Sequence, residues 1–176
     1  MTTEQNMTLK ALQTAIHMEI DGKEYYQKLS RQISDKIGNR LLLSLAAEED
    51  VHRQKFAEIY RTIRDKKAWP VTDFKPDGGK RLRTIFAQAS EGIDSNTKAS
   101  TRMLDAIQTA ITMESKTYDF YKSQAGKTDY TAEKDFYNMI AAEEQQHHLI
   151  LLDYHEYFRN PAGWFVKKEH PSLDGG

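Results

Sequence analysis

The chain has 176 residues, which is enough for one domain with a substantial buried core. Its 25 basic and 26 acidic residues give a formal net charge of -1, so there is no electrostatic reason to expect a nucleic-acid or anionic-membrane partner. Cysteine is absent, which excludes disulfides, thiolate zinc sites and iron–sulfur centres within this chain. The start MTTEQNMTLK is not signal-like and no run is long enough to span a bilayer, so we expect a soluble cytoplasmic protein.

Long segments rich in Ala, Leu, Glu, Lys and Gln, with 9 glycines and 4 prolines in the whole chain, predict an all-α protein. The short connections within each pair of predicted helices indicate two antiparallel hairpins. Gly126 is expected to end the third helix and Pro161 the fourth. The four long helices are predicted at about residues 8–33, 36–67, 98–125 and 130–159.

A crossover at about residues 68–97 separates the two hairpins and has room for one short helix near 80–90. It is too long for a tight turn and suits either a connection along a bundle or a lid. We therefore expect one four-helix-bundle domain over residues 1–160 and a tail over 161–176. The tail is expected to pack against the bundle or a second subunit, and we expect a homodimer.

The two hairpins are copies of one sequence unit. Residues 11–19 read ALQTAIHME and residues 106–114 read AIQTAITME, with seven of nine positions identical at an offset of 95. The same offset aligns AAEEDVH (46–52) with AAEEQQH (141–147), with five of seven identical. The fold should therefore have an approximate internal two-fold axis.

The repeat also selects among the ionisable residues of the fourth helix. Of the possible Glu/His pairs there, only Glu144 with His147 is reproduced in the first copy, as Glu49 with His52. Each pair follows a glutamate 30 residues upstream, Glu19 in one copy and Glu114 in the other. His148 aligns with Arg53, and we expect it to be a surface residue, as we do for His17.

These six residues occupy apolar helix stripes at mid-bundle, because spacings of three and four keep them on the inward face. Four buried carboxylates without compensation would be strongly unfavourable. Two divalent cations supply +4 against -4 with both imidazoles neutral, and carboxylates with imidazoles suit iron or manganese. Glu48 and Glu143 are also duplicated; each could orient a histidine N–H across the bundle or lie on a solvated face.

With its paired AAEE..H signatures, the chain resembles the rubrerythrin branch of the ferritin-like di-iron proteins over about 150 of its 176 residues. The resemblance implies a ferritin-like four-helix bundle with two iron ions, for which manganese or zinc could substitute. It assigns Glu19, Glu49 and His52 to one iron and Glu114, Glu144 and His147 to the other, with Glu49 and Glu144 bridging. Tyr26 and Tyr121 match the family's tyrosines behind the ligands, the alternative being plain aromatic core.

Two departures from the family pattern affect the expected function. Rubrerythrin proper carries a cysteine-bearing rubredoxin domain, so here we expect an external electron donor such as a rubredoxin-like protein. The family's additional glutamate, tied to peroxide chemistry, is Thr117 here, and the symmetric position is Gly22. The leading hypothesis is a peroxidase or ferroxidase that oxidises Fe(II) with peroxide or dioxygen and protects against oxidative stress. The alternatives are iron binding, storage or delivery without turnover, and a structural metal protein.

Overall fold

The computed structural model describes residues 3–33, 36–66, 68–70, 74–90, 100–161 and 163–164. The helices in this part of the chain are α1 (Thr3–Ser30), α2 (Lys36–Lys66), α3 (Lys80–Ser90), α4 (Thr101–Lys127) and α5 (Thr131–Arg159). Helix α1 packs along α2 and α4 along α5, while contacts of α1 with α4 and of α2 with α5 join the two hairpins. The predicted all-α fold of two hairpins is therefore confirmed.

The ends of the helices correct one expectation and agree with another. Gly126 lies inside α4, so the prediction that it ends this helix was wrong. The helix stops at Thr128, which is extended at φ -102° and ψ 136° and whose Oγ1 accepts a hydrogen bond from the Tyr130 N–H at 3.1 Å. A helical glycine costs only about 1 kcal/mol, which the packing of α4 offsets. Helix α5 ends before Pro161, as expected.

Two apolar clusters fill the bundle, one towards each end. Leu45 on α2 and Leu151 on α5 belong to one cluster, and Leu12 on α1 and Phe56 on α2 belong to the other. Along each of the four long helices a glutamate lies between the residues of the first cluster and those of the second. The apolar core is thus divided by a polar layer at mid-bundle.

Helix α3, in the crossover, lies against α2 and α5 and buries Leu82, Ile85 and Phe86. Trp164 from the tail packs edge-on against Phe86, with ring centroids 5.5 Å apart. The described part of the tail therefore packs against the bundle, whereas residues 165–176 and the crossover residues 91–97 lie outside the described residues. Among the described residues, no helix is both long and apolar enough to cross a membrane.

Candidate metal centre

The six ionisable residues selected by the repeat form the polar layer between the two apolar clusters. None of them is more than 3% exposed, because each sits on the inward stripe of its helix. Helices α1 and α4 contribute one glutamate each, and α2 and α5 contribute a Glu-x-x-His pair each. The residues are Glu19, Glu49, His52, Glu114, Glu144 and His147.

The layer divides into two groups whose possible ligand atoms lie within 4.8 Å of one another. One group is Glu19, Glu49, His52 and Glu144, and the other is Glu49, Glu114, Glu144 and His147. Glu49 and Glu144 belong to both groups. A residue common to both groups could contribute an oxygen atom to each of two metal positions.

Both histidines direct Nδ1 into the layer. His52 Nδ1 lies 3.1 Å from Glu144 Oε1 and 3.5 Å from Glu19 Oε2. His147 Nδ1 lies 3.1 Å from Glu49 Oε1 and 3.7 Å from Glu114 Oε2. The two imidazole rings are stacked, with centroids 5.7 Å apart and planes 14° from parallel. Each Nδ1 therefore faces carboxylates contributed by both hairpins.

Four buried polar atoms of the layer make no hydrogen bond of good geometry among the described residues, although His52 Nδ1 and Glu144 Oε1 lie 3.1 Å apart. The atoms are Glu19 Oε2, His52 Nδ1, Glu114 Oε2 and Glu144 Oε1. Unpaired buried polar atoms are costly unless a partner outside the chain takes them up. Two divalent cations would use these atoms as ligands and neutralise the four carboxylates, so the residues present fit a two-metal site.

Tyr26 and Tyr121 each contact the layer from the opposite hairpin. The Tyr26 hydroxyl on α1 donates to Glu114 Oε1 on α4, and the Tyr121 hydroxyl on α4 donates to Glu19 Oε1 on α1. Burial and the neighbouring carboxylates, Glu114 for Tyr26 and Glu19 for Tyr121, raise both phenol pKa values well above 10.0. The two hydroxyls therefore stay protonated and act as hydrogen-bond donors.

The pKa values of the four carboxyl groups in the layer are shifted in two directions. Burial and the charges of Glu144 and Glu19 raise the pKa of Glu49 well above its ordinary value. Burial and the charges of Glu19 and Glu114 do the same to the pKa of Glu144. Burial also opposes ionisation of Glu19 and Glu114, but hydrogen bonds within the layer and the adjacent histidine charges outweigh it, and these two pKa values are lowered.

The histidines complete the charge balance. Burial disfavours the charged imidazole, yet the carboxylates around it, chiefly Glu19 for His52 and Glu114 for His147, raise both pKa values. Without a metal ion these shifts favour the protonated forms of His52, His147, Glu49 and Glu144 and the ionised forms of Glu19 and Glu114. Two divalent cations would balance four carboxylates with both imidazoles neutral, so metal ions and protons compete for the same layer.

The duplicated glutamates that precede the layer differ between the copies. Glu48 Oε2 lies 3.0 Å from His147 Nε2, across the bundle. Glu143 is buried and accepts a hydrogen bond from the backbone N–H of Gly78 at 3.0 Å, so a solvated face is wrong for this residue. The sequence analysis did not identify Gly78 as a contact, because the crossover has no copy in the repeat; the DGG turn was its only local signal.

The remaining sequence-based candidates lie outside the layer. His17 is exposed, as expected. His148 is partly buried rather than on the open surface, and its Nδ1 lies 3.1 Å from Ser115 Oγ.

Thr117 Oγ1 donates back to the Met113 carbonyl at 3.0 Å. A Cβ added at Gly22, its counterpart in α1, would stand 3.5 Å from the Glu49 carboxyl carbon. Position 22 therefore borders a shared glutamate.

Comparison with known proteins gives one family. A family model described as Rubrerythrin matches residues 10–104 and residues 105–172. The boundary between the two matched segments falls near the start of the second repeat. No curated protein and no solved structure matches the chain significantly.

Proposed function

The chain belongs to the rubrerythrin family, and we propose that it is a non-haem di-iron protein that oxidises Fe(II) with peroxide or dioxygen. The observation that carries this proposal is the buried layer in which two ligand groups share Glu49 and Glu144. Carboxylate and imidazole ligands without thiolate suit iron, with manganese or zinc as substitutes. Bound iron would supply the electrons that reduce the oxidant.

The proposed ligand roles follow from the two groups. Glu19 and His52 would hold one ion, and Glu114 and His147 would hold the other. Glu49 and Glu144 would bridge them, because they are the members common to both groups. The Nδ1 atoms are the proposed imidazole ligands, since they face the carboxylates at 3.1 Å.

The protein's own contribution would be to orient the ligands, to place two phenolic hydrogen-bond donors beside them and to exclude water. Tyr26 and Tyr121 each hold one oxygen of a glutamate from the other hairpin, which leaves the second oxygen directed into the layer. Reduction of one peroxide to two waters consumes two electrons and two protons. The two phenols are protonated donors in contact with the layer, and the apolar clusters on both sides keep bulk water out.

Turnover requires a reductant that returns electrons to the site. Because these 176 residues include no cysteine with which to hold an iron–sulfur or rubredoxin-type centre, we propose that a rubredoxin-like donor outside them supplies the electrons. The physiological role would then be protection against oxidative stress, and the protein would act as a homodimer. The donor and the dimer are tested separately, by reduction kinetics and by sedimentation.

The test of the function is a single-turnover experiment. The protein is loaded anaerobically with two equivalents of Fe(II) and mixed in a stopped-flow instrument with peroxide or with dioxygen. We expect two Fe(II) ions to be oxidised per peroxide, at a higher rate than Fe(II) that is free in the same buffer. A rubredoxin-like donor should then reduce the iron back to Fe(II). Glu144→Ala is the matched control, because it removes a shared glutamate.

The alternatives give different results in the same experiment. If the loaded protein oxidises no faster than free Fe(II) but transfers iron to a chelator readily, it is a binding or delivery protein. If it neither oxidises nor releases the ions, the metal holds the bundle together and the redox proposal is wrong.

A further inference from the structure

The two halves of the polar layer differ in how the outer nitrogen of each histidine is held. His147 Nε2 lies 3.0 Å from Glu48 Oε2, while its Nδ1 faces the layer. By the repeat, the equivalent pair is Glu143 with His52, but no hydrogen bond or ion pair joins these two in the described part of the chain. Phe74 packs against the His52 ring in a T-shaped contact, with ring centroids 5.8 Å apart.

The crossover accounts for this difference. A duplicated pair of hairpins needs only one connection, so whatever the connection touches cannot be symmetric. Here the turn at Gly78 and Gly79, with φ of 65° and 71°, brings the Gly78 N–H to Glu143 Oε1 at 3.0 Å. A Cβ at Gly79 would stand 2.8 Å from Gln146 Cβ, so the turn is seated closely on α5. Glu143 is thereby engaged by the backbone of the crossover.

We infer that Glu48 is a positioning residue for His147, and that docking of the crossover on Glu143 makes the two proposed metal positions unequal. A carboxylate that accepts the Nε2–H of a ligating histidine fixes the tautomer with a free Nδ1 lone pair and makes that nitrogen a better donor. His147 has this partner, whereas among the described residues no carboxylate lies within hydrogen-bond distance of the outer nitrogen of His52. The ion held by Glu114 and His147 is therefore bound more tightly than the ion held by Glu19 and His52.

This inference rests on the proposed two-metal site, and its test measures metal binding rather than activity. Protein loaded with two Co2+ ions is equilibrated with increasing concentrations of a chromophoric chelator. We expect the ions to be removed in two steps. Glu48→Ala should weaken the more tightly bound step by about 10- to 100-fold. Glu48→Gln keeps an acceptor oxygen without the charge, and we expect it to recover part of this loss.

Glu143→Ala is the matched control, because it removes the same residue type from the repeat-equivalent position. It should leave the tighter step unchanged. The step is assigned with His147→Ala, which should remove it, and with His52→Ala, which should not. In the Zn2+-loaded protein, the ¹⁵N resonance of His147 Nε2 should be that of a protonated nitrogen and should shift in Glu48→Ala, a response that loss of packing alone would not give.

The inference is overturned if Glu48→Ala changes neither step, or if Glu48→Ala and Glu143→Ala weaken the same step equally. Either result would leave the proposed function intact, provided that the wild-type protein holds two ions. Wild-type protein that holds fewer than two ions would overturn the proposed function and this inference together.

Discussion

The Tyr26 hydroxyl on α1 donates a hydrogen bond to Glu114 Oε1 on α4, in the other hairpin. Tyr121 repeats the contact in the opposite direction by donating to Glu19 Oε1. Each hairpin thus holds a carboxylate that its partner hairpin contributes to the polar layer. The same two hydrogen bonds consequently join the hairpins and orient the proposed ligands Glu19 and Glu114.

Removing one of these phenols should destabilise the fold without removing metal. A hydrogen bond to a charged group contributes about 1.5–3 kcal/mol, so Tyr26→Phe and Tyr121→Phe should each lower the free energy of unfolding by that amount. Neither phenol is a proposed ligand, so each variant should still bind two ions. Chemical denaturation and metal analysis measure the two effects. Tyr60→Phe is the control, because the Tyr60 hydroxyl accepts a hydrogen bond from Gln13 at the surface. The free energy of unfolding of this variant should stay within about 0.5 kcal/mol of the wild-type value.

The shared glutamates should matter to both metal ions. Glu49→Ala or Glu144→Ala should disturb the binding of both, because each residue belongs to both ligand groups. Glu19→Ala should affect chiefly one. Metal content after anaerobic loading and desalting measures this directly. His148→Ala should leave the content unchanged, because His148 contacts Ser115 and lies outside both groups. Loss of metal from His148→Ala with full retention in His147→Ala would contradict the proposed ligand set.

Stability of the metal-free protein should depend on pH with a definite sign. Folding raises the pKa values of four groups in the layer: Glu49, Glu144, His52 and His147. Their protonated forms therefore stabilise the fold at low pH, and this stability is lost as the pH rises through the pKa values of the folded protein. The metal-free protein should therefore melt at a lower temperature at pH 8 than at pH 6. Below the ordinary glutamate pKa the lowered values of Glu19 and Glu114 act in the opposite direction.

The metal-loaded protein should show the reverse trend, because protons compete with metal for the same atoms. The difference in Tm between loaded and metal-free protein should then widen from pH 6 to pH 8. Differential scanning calorimetry at several pH values measures it. A metal-free form as heat-stable as the loaded form at pH 7 would be inconsistent with close, buried carboxylates.

Metal loading should also release protons. The raised pKa values of Glu49, Glu144, His52 and His147 favour protons on these groups in the metal-free layer, so binding of two divalent ions should expel protons. A pH indicator in weakly buffered solution counts them during Zn2+ addition. Release of one proton or none would mean that the layer is neutralised in another way.

Some of these features were accessible from the sequence, and others depend on how the hairpins dock. The repeat identified Glu19 and Glu114, because each precedes a Glu-x-x-His pair by 30 residues in its own copy. Helical spacings of three and four residues then place each on the inward face. It could not show that Tyr26 reaches Glu114, since an offset of 95 residues relates the copies without specifying the contacts between them. It also could not separate Glu48 from Glu143, because a single crossover breaks the symmetry that the repeat implies.

Gly126 shows the limit of local signals. Glycine is common just beyond helix ends, but a glycine does not by itself stop a helix. In α4 the chain leaves the helix at Thr128, which is extended and whose Oγ1 accepts a hydrogen bond from the Tyr130 N–H and donates one to Glu133. The helix therefore continues through Gly126, and the contact between Thr128 and Glu133 cannot be read from either residue alone.

The last prediction concerns the position where the family pattern has a glutamate and this chain has Thr117. By the repeat, Thr117 stands to Glu144 as Gly22 stands to Glu49, and a Cβ at Gly22 would lie 3.5 Å from the Glu49 carboxyl carbon. A carboxylate at position 117 would therefore border a shared glutamate, whereas the threonine hydroxyl is bonded to the Met113 carbonyl at 3.0 Å. The ligand set should thus be the symmetric one of four glutamates and two histidines.

Thr117→Glu should add a seventh protein ligand and shift the ratio of the two oxidation rates towards peroxide. Di-ferrous protein is mixed anaerobically with peroxide and, separately, with dioxygen, and the ratio is compared between wild type and variant. Thr117→Gln is the control, because it adds nearly the same volume without a charge and should leave the ratio close to that of the wild type. If Thr117→Glu binds iron through the new carboxylate but the ratio stays unchanged, this position does not determine the choice of oxidant.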